Sequence, residues 1–590
     1  MKKVLTFYLK PYYLRMAGGF VIKFIGTIMD LLIPWILAYM IDEVVPTKSI
    51  RLVFLWGALM VVCAFFAITG NILANRFASR VAQLSMQTIR HDLFSKISYL
   101  SCRQVNEFTE SSLVSRLTSD TYNLHNAIGM MQRLGVRAPI LLIGGIIVTM
   151  TLDVALSLVL VALLPFMGIL VYLVSKKGIP MYTRQQEAVD VLIRKVRENV
   201  TGIRVIKALS KSEYEKRTFG EINAEVVRRE KRAAMTMGIT NPVMNFILNM
   251  GWVLVILIGA YRVNGGLTES GKIVAFLTYF TIILNAMLSI TRLFVKMSQA
   301  IASANRIMKV IDVCDDMEEV SAVYEAEGVQ DETGMKKTVT NEKDRLEQVV
   351  PHIEFRDVTF SYNGRYNNLE HISFSLKKGE RLGIIGATGA GKTTLISLLM
   401  RFYDINSGNI FIDGKDIRTY PSSELHTMFG VAFQNDTIFE DTVYENISLG
   451  RNLSMEQVKT ASEYAQIAEH IEKMENGYDA AVAIKGANLS GGQKQRVLIA
   501  RALAGNPPIL ILDDSTSALD YKTDAAVRSA INEHFKETTT IIIAQRISSV
   551  MNCDQVIVLE EGRMIGYGTH EELLESCAIY REISESQLAV

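Results

Sequence analysis

Long apolar runs occupy the first half of the chain, and shorter β-rich runs separated by turns and helices occupy the second half. A helix needs about 20 mainly apolar residues to cross a membrane. Six stretches meet this requirement, the third of them only when Ile128–Met131 is added to it. We therefore predict an all-α transmembrane domain with six spans. The spans are Met16–Ile41, Leu52–Leu73, Val136–Leu152, Val154–Val174, Val243–Tyr261 and Ile273–Phe294.

Short connections between the spans alternate with two long polar loops that are rich in lysine and arginine. Both loops have helical periodicity and few helix breakers, so we expect the flanking spans to continue as helices beyond the lipid. Basic loops of membrane proteins stay on the cytoplasmic side. This bias predicts a multi-pass protein of the cytoplasmic membrane with both termini in the cytoplasm.

Two charged residues lie inside the first predicted span, where charge is costly. Lys23 and Asp30 are seven positions apart, which places them on nearly the same helix face. They can form a polar lining of a transport cavity. Alternatively, Lys23 reaches the membrane interface and Asp30 meets a partner on another helix. The sequence leaves both interpretations open.

Composition and charge set the outer limits of the prediction. The chain has 590 residues, a hydrophobic content of 49% and a formal net charge of +1, which gives no support for a nucleic-acid partner. An acidic stretch with few apolar residues follows the last span and is typical of a solvated linker. We predict a transmembrane domain at residues 1–305, an acidic linker at 306–350 and a second domain at 351–590.

A phosphate-binding loop opens the second domain. An apolar strand ending near Ile385 is followed by the pattern G-x-x-x-x-G-K-T and then by a helical apolar run, which is the context that this loop requires. Backbone N–H groups and the helix N-terminus favour phosphate, the lysine neutralises β/γ oxygens, and the threonine hydroxyl binds Mg²⁺. The predicted phosphate-binding residues are Gly386, Ala387, Thr388, Gly389, Ala390, Gly391, Lys392, Thr393 and Thr394.

A second motif narrows the class, because a phosphate loop alone also fits kinases and GTPases. Leu489–Gln493 reads LSGGQ, the signature of the ATP-binding-cassette (ABC) family. Six spans before one such domain resemble a half-transporter of the multidrug-exporter type, and the resemblance covers essentially the whole chain. It implies an α/β cassette that uses ATP and Mg²⁺, with a helical subdomain carrying the signature. It also implies that two cassettes pack head to tail, each ATP lying between one P-loop and the other chain's LSGGQ.

The same resemblance implies roles for further residues. Tyr362 resembles the aromatic residue on which adenine stacks, and Asp520 lies in a loop that resembles the one crossing to the partner. The predicted Mg²⁺ ligands are Thr393, Gln434 and Asp513. The residues expected to serve the opposite ATP site are Ser490, Gly491, Gly492 and Gln493. Two loop segments resemble coupling regions that dock on the cassette, namely Phe108–Asp120 and Arg197–Lys207.

The predicted catalytic residues are Gln434, Asp514 and Gln545. The last two depart from the family pattern. The family usually has a catalytic Glu where this chain has Asp514, and a switch His where it has Gln545. Both departures affect the ATP site on this chain's own P-loop, whereas its LSGGQ is intact. The pattern resembles the degenerate-site subunit of bacterial heterodimeric exporters.

The sequence therefore predicts ATP-driven export of amphipathic, drug-like or lipid-like molecules by one half of a heterodimer. The expected partners are a second half-transporter that supplies the catalytic Glu and the switch His, membrane lipid, and a hydrophobic small-molecule substrate. Two alternatives remain: a homodimeric lipid or drug exporter that tolerates Asp514, and an ATP-gated regulatory subunit. The six spans exclude a soluble cassette protein of DNA repair or translation.

Overall fold

The computed structural model describes residues 3–317, 350–434 and 437–588. The chain divides into two compact units, the first formed by Met1–Tyr99 with Phe108–Cys314, and the second by Leu100–Glu107 with Asp315–Val590. The last helix of the first unit continues to Ile311, beyond the boundary expected at residue 305. Most of the acidic linker predicted at 306–350 lies outside the described residues.

The first unit is helical. Within the described residues, six of its helical segments are long and apolar enough to cross a membrane, and each contains one predicted span, so the six-span prediction is confirmed. The α-helices are α1 (Tyr13–Tyr39), α2 (Ile50–Ser98), α3 (Cys102–Phe108), α4 (Glu110–Ser115), α5 (Thr121–Leu152), α6 (Val154–Thr201), α7 (Ile203–Ala208), α8 (Ser212–Gly238), α9 (Thr240–Asn264) and α10 (Ser270–Ile311).

The long polar loops are helical, as predicted. Helix α2 has 49 residues and α6 has 48, and each begins within two residues of the start of a predicted span and ends in a basic loop. At 1.5 Å per residue, each is more than twice as long as the roughly 30 Å hydrocarbon core of a membrane. Both helices therefore extend well beyond the lipid.

Small residues allow close helix packing in this unit. A Cβ atom on Gly26 of α1 would lie 3.4 Å from the carbonyl oxygen of Ala67, and one on Gly70 of α2 would lie 3.3 Å from the Cα atom of Gly26. Glycine at such positions lets two membrane helices approach at backbone distance. Elsewhere the buried hydroxyl of Tyr279 on α10 donates to the carbonyl oxygen of Leu31 at 2.5 Å, which ties α10 to α1.

The second unit contains a ten-stranded sheet in the order β5-β4-β1-β2-β10-β9-β3-β8-β7-β6. Its strands are β1 (Ile353–Phe360), β2 (Leu369–Leu376), β3 (Arg381–Gly386), β4 (Ser407–Ile412), β5 (Lys415–Asp416), β6 (Phe429–Ala432), β7 (Ile509–Asp513), β8 (Thr539–Ile543), β9 (Gln555–Glu560) and β10 (Arg563–Gly568). Strands β9, β3, β8, β7 and β6 run parallel. The carboxyl ends of β3, β8 and β7 therefore lie next to one another, where α/β sheets bind ligands.

The helices of the second unit cover this sheet, and those that lie between β6 and β7 in the chain form the predicted helical subdomain. The helices of this unit are α11 (Lys392–Leu399), α12 (Ser422–Thr427), α13 (Val443–Ser448), α14 (Met455–Tyr464), α15 (Ala468–Glu472), α16 (Gly491–Leu503), α17 (Tyr521–His534), α18 (Ile547–Val550), α19 (His570–Ser576) and α20 (Ala578–Leu588). The fold class predicted from the sequence is thus confirmed, and the signature lies at the start of α16.

A short segment that follows α2 belongs to the second unit. Leu100–Glu107 packs with the cassette, and the side-chain amide of Asn106 donates to the hydroxyl of Tyr403 at 3.0 Å. The sequence comparison with the family placed this coupling region at Phe108–Asp120. The segment that packs with the cassette, here called the docked segment, is Leu100–Glu107 and lies immediately before those residues. It follows the end of α2 at Ser98 and includes the start of α3 at Cys102.

Candidate nucleotide site

The loop between β3 and α11 has the backbone conformation of a phosphate cradle. Gly389 and Gly391 have φ values of +87° and +101°, a region that side-chain-bearing residues rarely adopt. A Cβ atom on Gly391 would also lie 2.7 Å from the side chain of Leu369. The sequence therefore needs glycine here to turn the loop into the start of α11, whose first N–H groups have no acceptor within the helix.

Lys392 lies across this loop. Its ammonium donates to the carbonyl oxygens of Gly386 at 2.7 Å and Ala387 at 2.9 Å. Burial lowers the pKa of Lys392, whereas the carboxylates of Asp513 and Asp514 raise it. The loop thus holds one cation at its centre. The ammonium is placed so that it can exchange its contacts with carbonyl oxygens for contacts with phosphate oxygens.

Asp513 ends β7 with only 3% of its surface exposed. It accepts a hydrogen bond from the hydroxyl of Thr393 at 3.1 Å, and burial raises the pKa of its carboxyl group. A buried carboxylate beside a hydroxyl at a phosphate loop is an oxygen donor set that suits Mg²⁺. These residues fit the predicted metal, which would neutralise phosphate charge when bound. Gln434, the third predicted ligand, lines the same cavity.

Asp514 is held from two sides. One carboxylate oxygen, Oδ2, accepts from the side-chain amide of Gln434 at 3.0 Å and from that of Gln545 at 3.2 Å. Its backbone has φ of +46°, and its N–H donates to the carbonyl oxygen of Ile543 at 2.9 Å. Burial raises the pKa of Asp514, and Lys392 opposes that shift. The two departures from the family pattern therefore lie in direct contact.

Tyr362 lies beside the loop, as expected for an adenine platform. Its hydroxyl donates to the hydroxyl of Thr394 at 3.4 Å, and its ring, with the residue 47% exposed, packs edge-on against Tyr403 at 5.0 Å. The side chain of Asn368, which the sequence analysis did not single out, accepts from the N–H of Tyr362 at 3.0 Å. An aromatic ring fixed beside a phosphate loop and open to solvent can stack on a base.

A cavity of about 210 Å³ brings the P-loop residues, Gln434, Asp513, Asp514 and Gln545 together. Asn368, Ile543 and Ala544 complete its lining and were missed, because no motif marks them. Ile543 and Ala544 lie here because β8 pairs directly with β3, the strand that precedes the P-loop. Asn368 lies here because its backbone packs against Gly391 of the loop. The lining residues are Asn368, Thr388, Gly389, Gly391, Lys392, Thr393, Thr394, Gln434, Asp513, Asp514, Ile543, Ala544 and Gln545.

The signature residues do not join this cavity. Ser490 caps α16, where its hydroxyl accepts from the N–H of Gln493 at 3.3 Å while the Gln493 side chain accepts from the N–H of Ser490 at 2.7 Å. Gly491 is exposed and Gly492 half-buried at the same helix start, and Asp520 caps the exposed start of α17. Their expected role at the ATP site of another chain stays a prediction.

Inside the first unit, the two charged residues of the first span have partners on other helices. Lys23 is only 3% exposed and donates to the side-chain oxygen of Asn75 at 3.1 Å, so its ammonium is buried against α2. Asp30 pairs with Arg137 of α5 at 2.9 Å, and both line a cavity. Asp30 thus meets a partner and also lines a cavity, combining the two interpretations. Arg137 was missed because it lies in a predicted span without a marking motif.

Comparison with known proteins agrees with this geometry. Residues 16–287 match the family described as the ABC transporter transmembrane region, and residues 369–517 match the family described as ABC transporter. The ABC transporter ATP-binding protein YfiB of Bacillus subtilis is 35% identical over 589 residues, which cover 100% of this chain and 98% of YfiB. The chain therefore belongs to the ABC transporter family, and it combines the membrane region and the ATP-binding domain in one polypeptide.

Two further likenesses are to proteins described as exporters. A putative multidrug export ATP-binding/permease protein of B. subtilis, YgaD, is 29% identical over 593 residues, covering 99% of this chain and 98% of YgaD. A solved bacterial Atm1-family ABC exporter with ATP bound has the same fold, with a TM-score of 0.80 and 24% identity over 98% of this chain and 99% of that one. The chain is thus a multi-pass half-transporter with the ABC exporter fold.

Proposed function

We propose that this chain is the degenerate-site half of a heterodimeric exporter, which uses ATP to move amphipathic small molecules outward across the cytoplasmic membrane. The drug-like or lipid-like nature of the substrate is supported by the six apolar helices and by the likeness to YgaD, whose name describes multidrug export. In this arrangement both termini and both cassettes lie in the cytoplasm. ATP is bound at two sites and is hydrolysed efficiently at only one of them.

The contact between Asp514 and the two glutamines carries this proposal. Aspartate is one methylene shorter than glutamate, so its carboxylate stands ~1.5 Å further from the water that it would activate, a displacement that can cost ~10²-fold in rate. The amides of Gln434 and Gln545 both occupy the Oδ2 oxygen of Asp514. An amide can orient a phosphate, but it does not carry a proton at neutral pH as histidine does.

ATP binding at the same site relies on other residues, which keep the family pattern. Lys392 and the P-loop backbone contact phosphate, Thr393 and Asp513 hold Mg²⁺, and Tyr362 supports the base. None of these groups depends on the length of the Asp514 side chain. The site therefore binds MgATP and releases it slowly, keeping the two cassettes together while the other site turns over.

The working site needs a partner. Ser490 and Gln493 hold each other at the start of α16, so the signature is pre-organised before a second chain arrives. With a partner that supplies a catalytic Glu and a switch His beside its own P-loop, this signature completes an active ATP site. Two cassettes drawn together by ATP would then move the membrane helices through the cytoplasmic loops.

The test is to purify the chain alone, purify it with the half-transporter encoded beside it, and measure ATPase activity of both in the same lipid. We expect the mixture to exceed the chain alone by about tenfold or more, as the ~10²-fold catalytic defect implies. Replacing the partner's catalytic Glu by Gln should abolish the activity of the mixture. Equal activity of the chain alone would refute the heterodimer and favour the homodimeric exporter.

A further inference from the structure

A polar cavity lies within the membrane helices of the first unit. It has a volume of about 310 Å³ and lies between α1, α5 and α10. Its polar lining residues are Asp30, Arg137, Asn285 and Ser289, and its apolar lining includes Leu141 and Ile282. All of them lie inside or next to predicted spans, so the cavity combines polar groups with an apolar wall at membrane depth.

The charge around this cavity is predominantly positive. Asp30 is the sole acidic residue in the sequences of α1, α5 and α10. Lys23 lies close enough to Asp30, Arg133 and Arg137 to interact electrostatically with each of them. Arg292 of α10 donates to the hydroxyl of the lining residue Ser289 at 3.3 Å. Four basic side chains therefore accompany one carboxylate.

The single carboxylate is already satisfied. Asp30 Oδ2 accepts from Arg137 at 2.9 Å and from the side-chain amide of Asn71 at 3.3 Å. Lys23 donates to the neutral side chain of Asn75, and the Nε of Arg133 donates to the carbonyl oxygen of Gly129 at 3.1 Å. Neither cation has a carboxylate as its hydrogen-bond partner in these contacts, so the excess positive charge is not cancelled by the fold.

Arg137 retains hydrogen-bonding capacity toward the cavity. Its side chain is 40% exposed although it pairs with Asp30, and in the described part of the chain its buried Nε has no hydrogen-bond partner. An arginine has five N–H donors in a planar fork that matches carboxylate, sulfonate or phosphate groups. Uncompensated charge at membrane depth is costly, and such groups face cavities that they serve.

We propose that this cavity selects amphiphiles with an anionic head group, which contacts Arg137 while the apolar part lies against Leu141 and Ile282. The inference rests on the proposed export function and specifies its substrate class. The anionic group belongs either to a membrane phospholipid or to a free amphiphile such as a long-chain carboxylate. Both sources present the same chemistry to the cavity, so the experiment must separate them.

The test uses the full chain in phosphatidylcholine nanodiscs and two fluorescent probes, a dansyl-labelled undecanoate and its uncharged methyl ester. Empty discs correct for partition into lipid. We expect the carboxylate to bind about tenfold more tightly than the ester, because the charged hydrogen bond is lost in the ester. Equal binding of the two probes, or tighter binding of a matching quaternary ammonium probe, would overturn the proposal.

The double variant Asp30→Asn with Arg137→Gln removes the pair without leaving an unpaired charge. It should reduce the preference for the carboxylate to about twofold or less, while ester binding, which reports an intact cavity, stays as in the wild type. Arg51→Gln, an exposed arginine at the start of α2, is the control and should keep the full preference. Retention of the preference by the double variant would place anion binding elsewhere and overturn the proposal.

A last comparison assigns the source of the anion. Phosphatidylglycerol added to the discs should displace the carboxylate probe if the natural ligand is a lipid, and leave it bound if the ligand is a free amphiphile; both results support the anionic class. These readouts are independent of partner-dependent ATPase. If the probes show no head-group preference while ATPase activity still requires the partner, only this inference is refuted. If the preference is present while the chain alone has full ATPase activity, only the heterodimer is refuted.

Discussion

The candidate nucleotide site has two parts that differ in how closely they follow the family pattern, a holding part that we propose binds ATP and a water-facing part that we propose faces the attacking water. The holding part, formed by the P-loop, Lys392, Thr393 and Asp513, keeps every residue type that the family pattern requires. The water-facing part has Asp514 and Gln545, which contact each other instead of leaving a carboxylate free beside a histidine. The proposed function thus assigns affinity and turnover to separate side chains within one cavity.

This separation is possible because the parts come from different strands. Lys392 follows β3, Asp514 follows β7 and Gln545 follows β8. The three side chains therefore meet beyond the carboxyl ends of these neighbouring strands. Changes after β7 and β8 therefore leave the loop after β3 intact. The predictions below either break or sharpen this contrast, beginning with the largest effect.

Removing the central cation should abolish the holding function. Lys392→Ala deletes the ammonium that bridges Gly386 and Ala387, and we expect ATP affinity at this site to fall about 100-fold, since charged contacts to phosphate are lost. Binding of a fluorescent ATP analogue to the full chain measures this. Lys459→Ala, on an exposed face of α14, should bind as the wild type does. Unchanged affinity in Lys392→Ala would contradict the assignment of the holding part.

Restoring the family residues should restore turnover. Asp514→Glu with Gln545→His returns the longer carboxylate and a titratable ring, and we expect about tenfold faster hydrolysis at this site. The rate should be measured with the partner's own site inactivated. Asp514→Glu alone should gain less, because Gln545 still supplies no proton carrier. No gain in the double variant would mean that the water-facing part is limited by something else.

Weakening the link between Tyr403 and the docked segment should have a smaller effect. Tyr403→Phe keeps the ring beside Tyr362 and deletes the hydroxyl that accepts from Asn106. One hydrogen bond contributes about 1 kcal/mol, so we expect a roughly threefold to fivefold loss of substrate-stimulated ATPase with ATP affinity unchanged. The exposed Tyr366→Phe is the matched control. A loss of ATP affinity would show that Tyr403 belongs to the base platform instead.

The smallest effect concerns stability. Burial raises the pKa of Asp513 in the folded protein, so the ionised carboxylate costs folding free energy above that pKa, and the cost vanishes below the ordinary value of about 3.9. Without nucleotide and Mg²⁺, Asp513→Asn should raise the apparent melting temperature at pH 7.5 by about 2 °C. The gain should shrink as the pH falls toward 4. Thermal unfolding across this range tests the sign, with the exposed Asp479→Asn as control.

The elements that the sequence predicted well are those with local causes. Six spans follow from runs of apolar residues, and the P-loop follows from glycines whose φ angles exclude other residues. Asp513 could be expected near Thr393 because an apolar strand delivers it. The roles of these residues in hydrolysis stay predictions, since proximity alone does not measure turnover.

What the sequence could not predict depends on contacts between distant segments. Nothing local marks Arg137 as the partner of Asp30, because the pairing needs α1 and α5 to be adjacent. Asn368 joins the site because its side chain accepts from the N–H of Tyr362 and because the residue packs beside Gly391 of the P-loop. The docked segment was expected a few residues too late, since the end of α2 and the position of Tyr403 together decide which residues reach the cassette.

The length of α2 has a mechanical consequence. Its 49 residues extend for ~74 Å, of which the membrane accounts for ~30 Å, and the docked segment follows directly at its end. A rigid rod with ~44 Å outside the membrane is a lever: a tilt of only about 10° within the lipid displaces its tip by ~8 Å, by the same helix geometry. Small changes of packing around the Gly26–Gly70 contact are thereby amplified into displacements of several ångströms at the carboxyl end of α2.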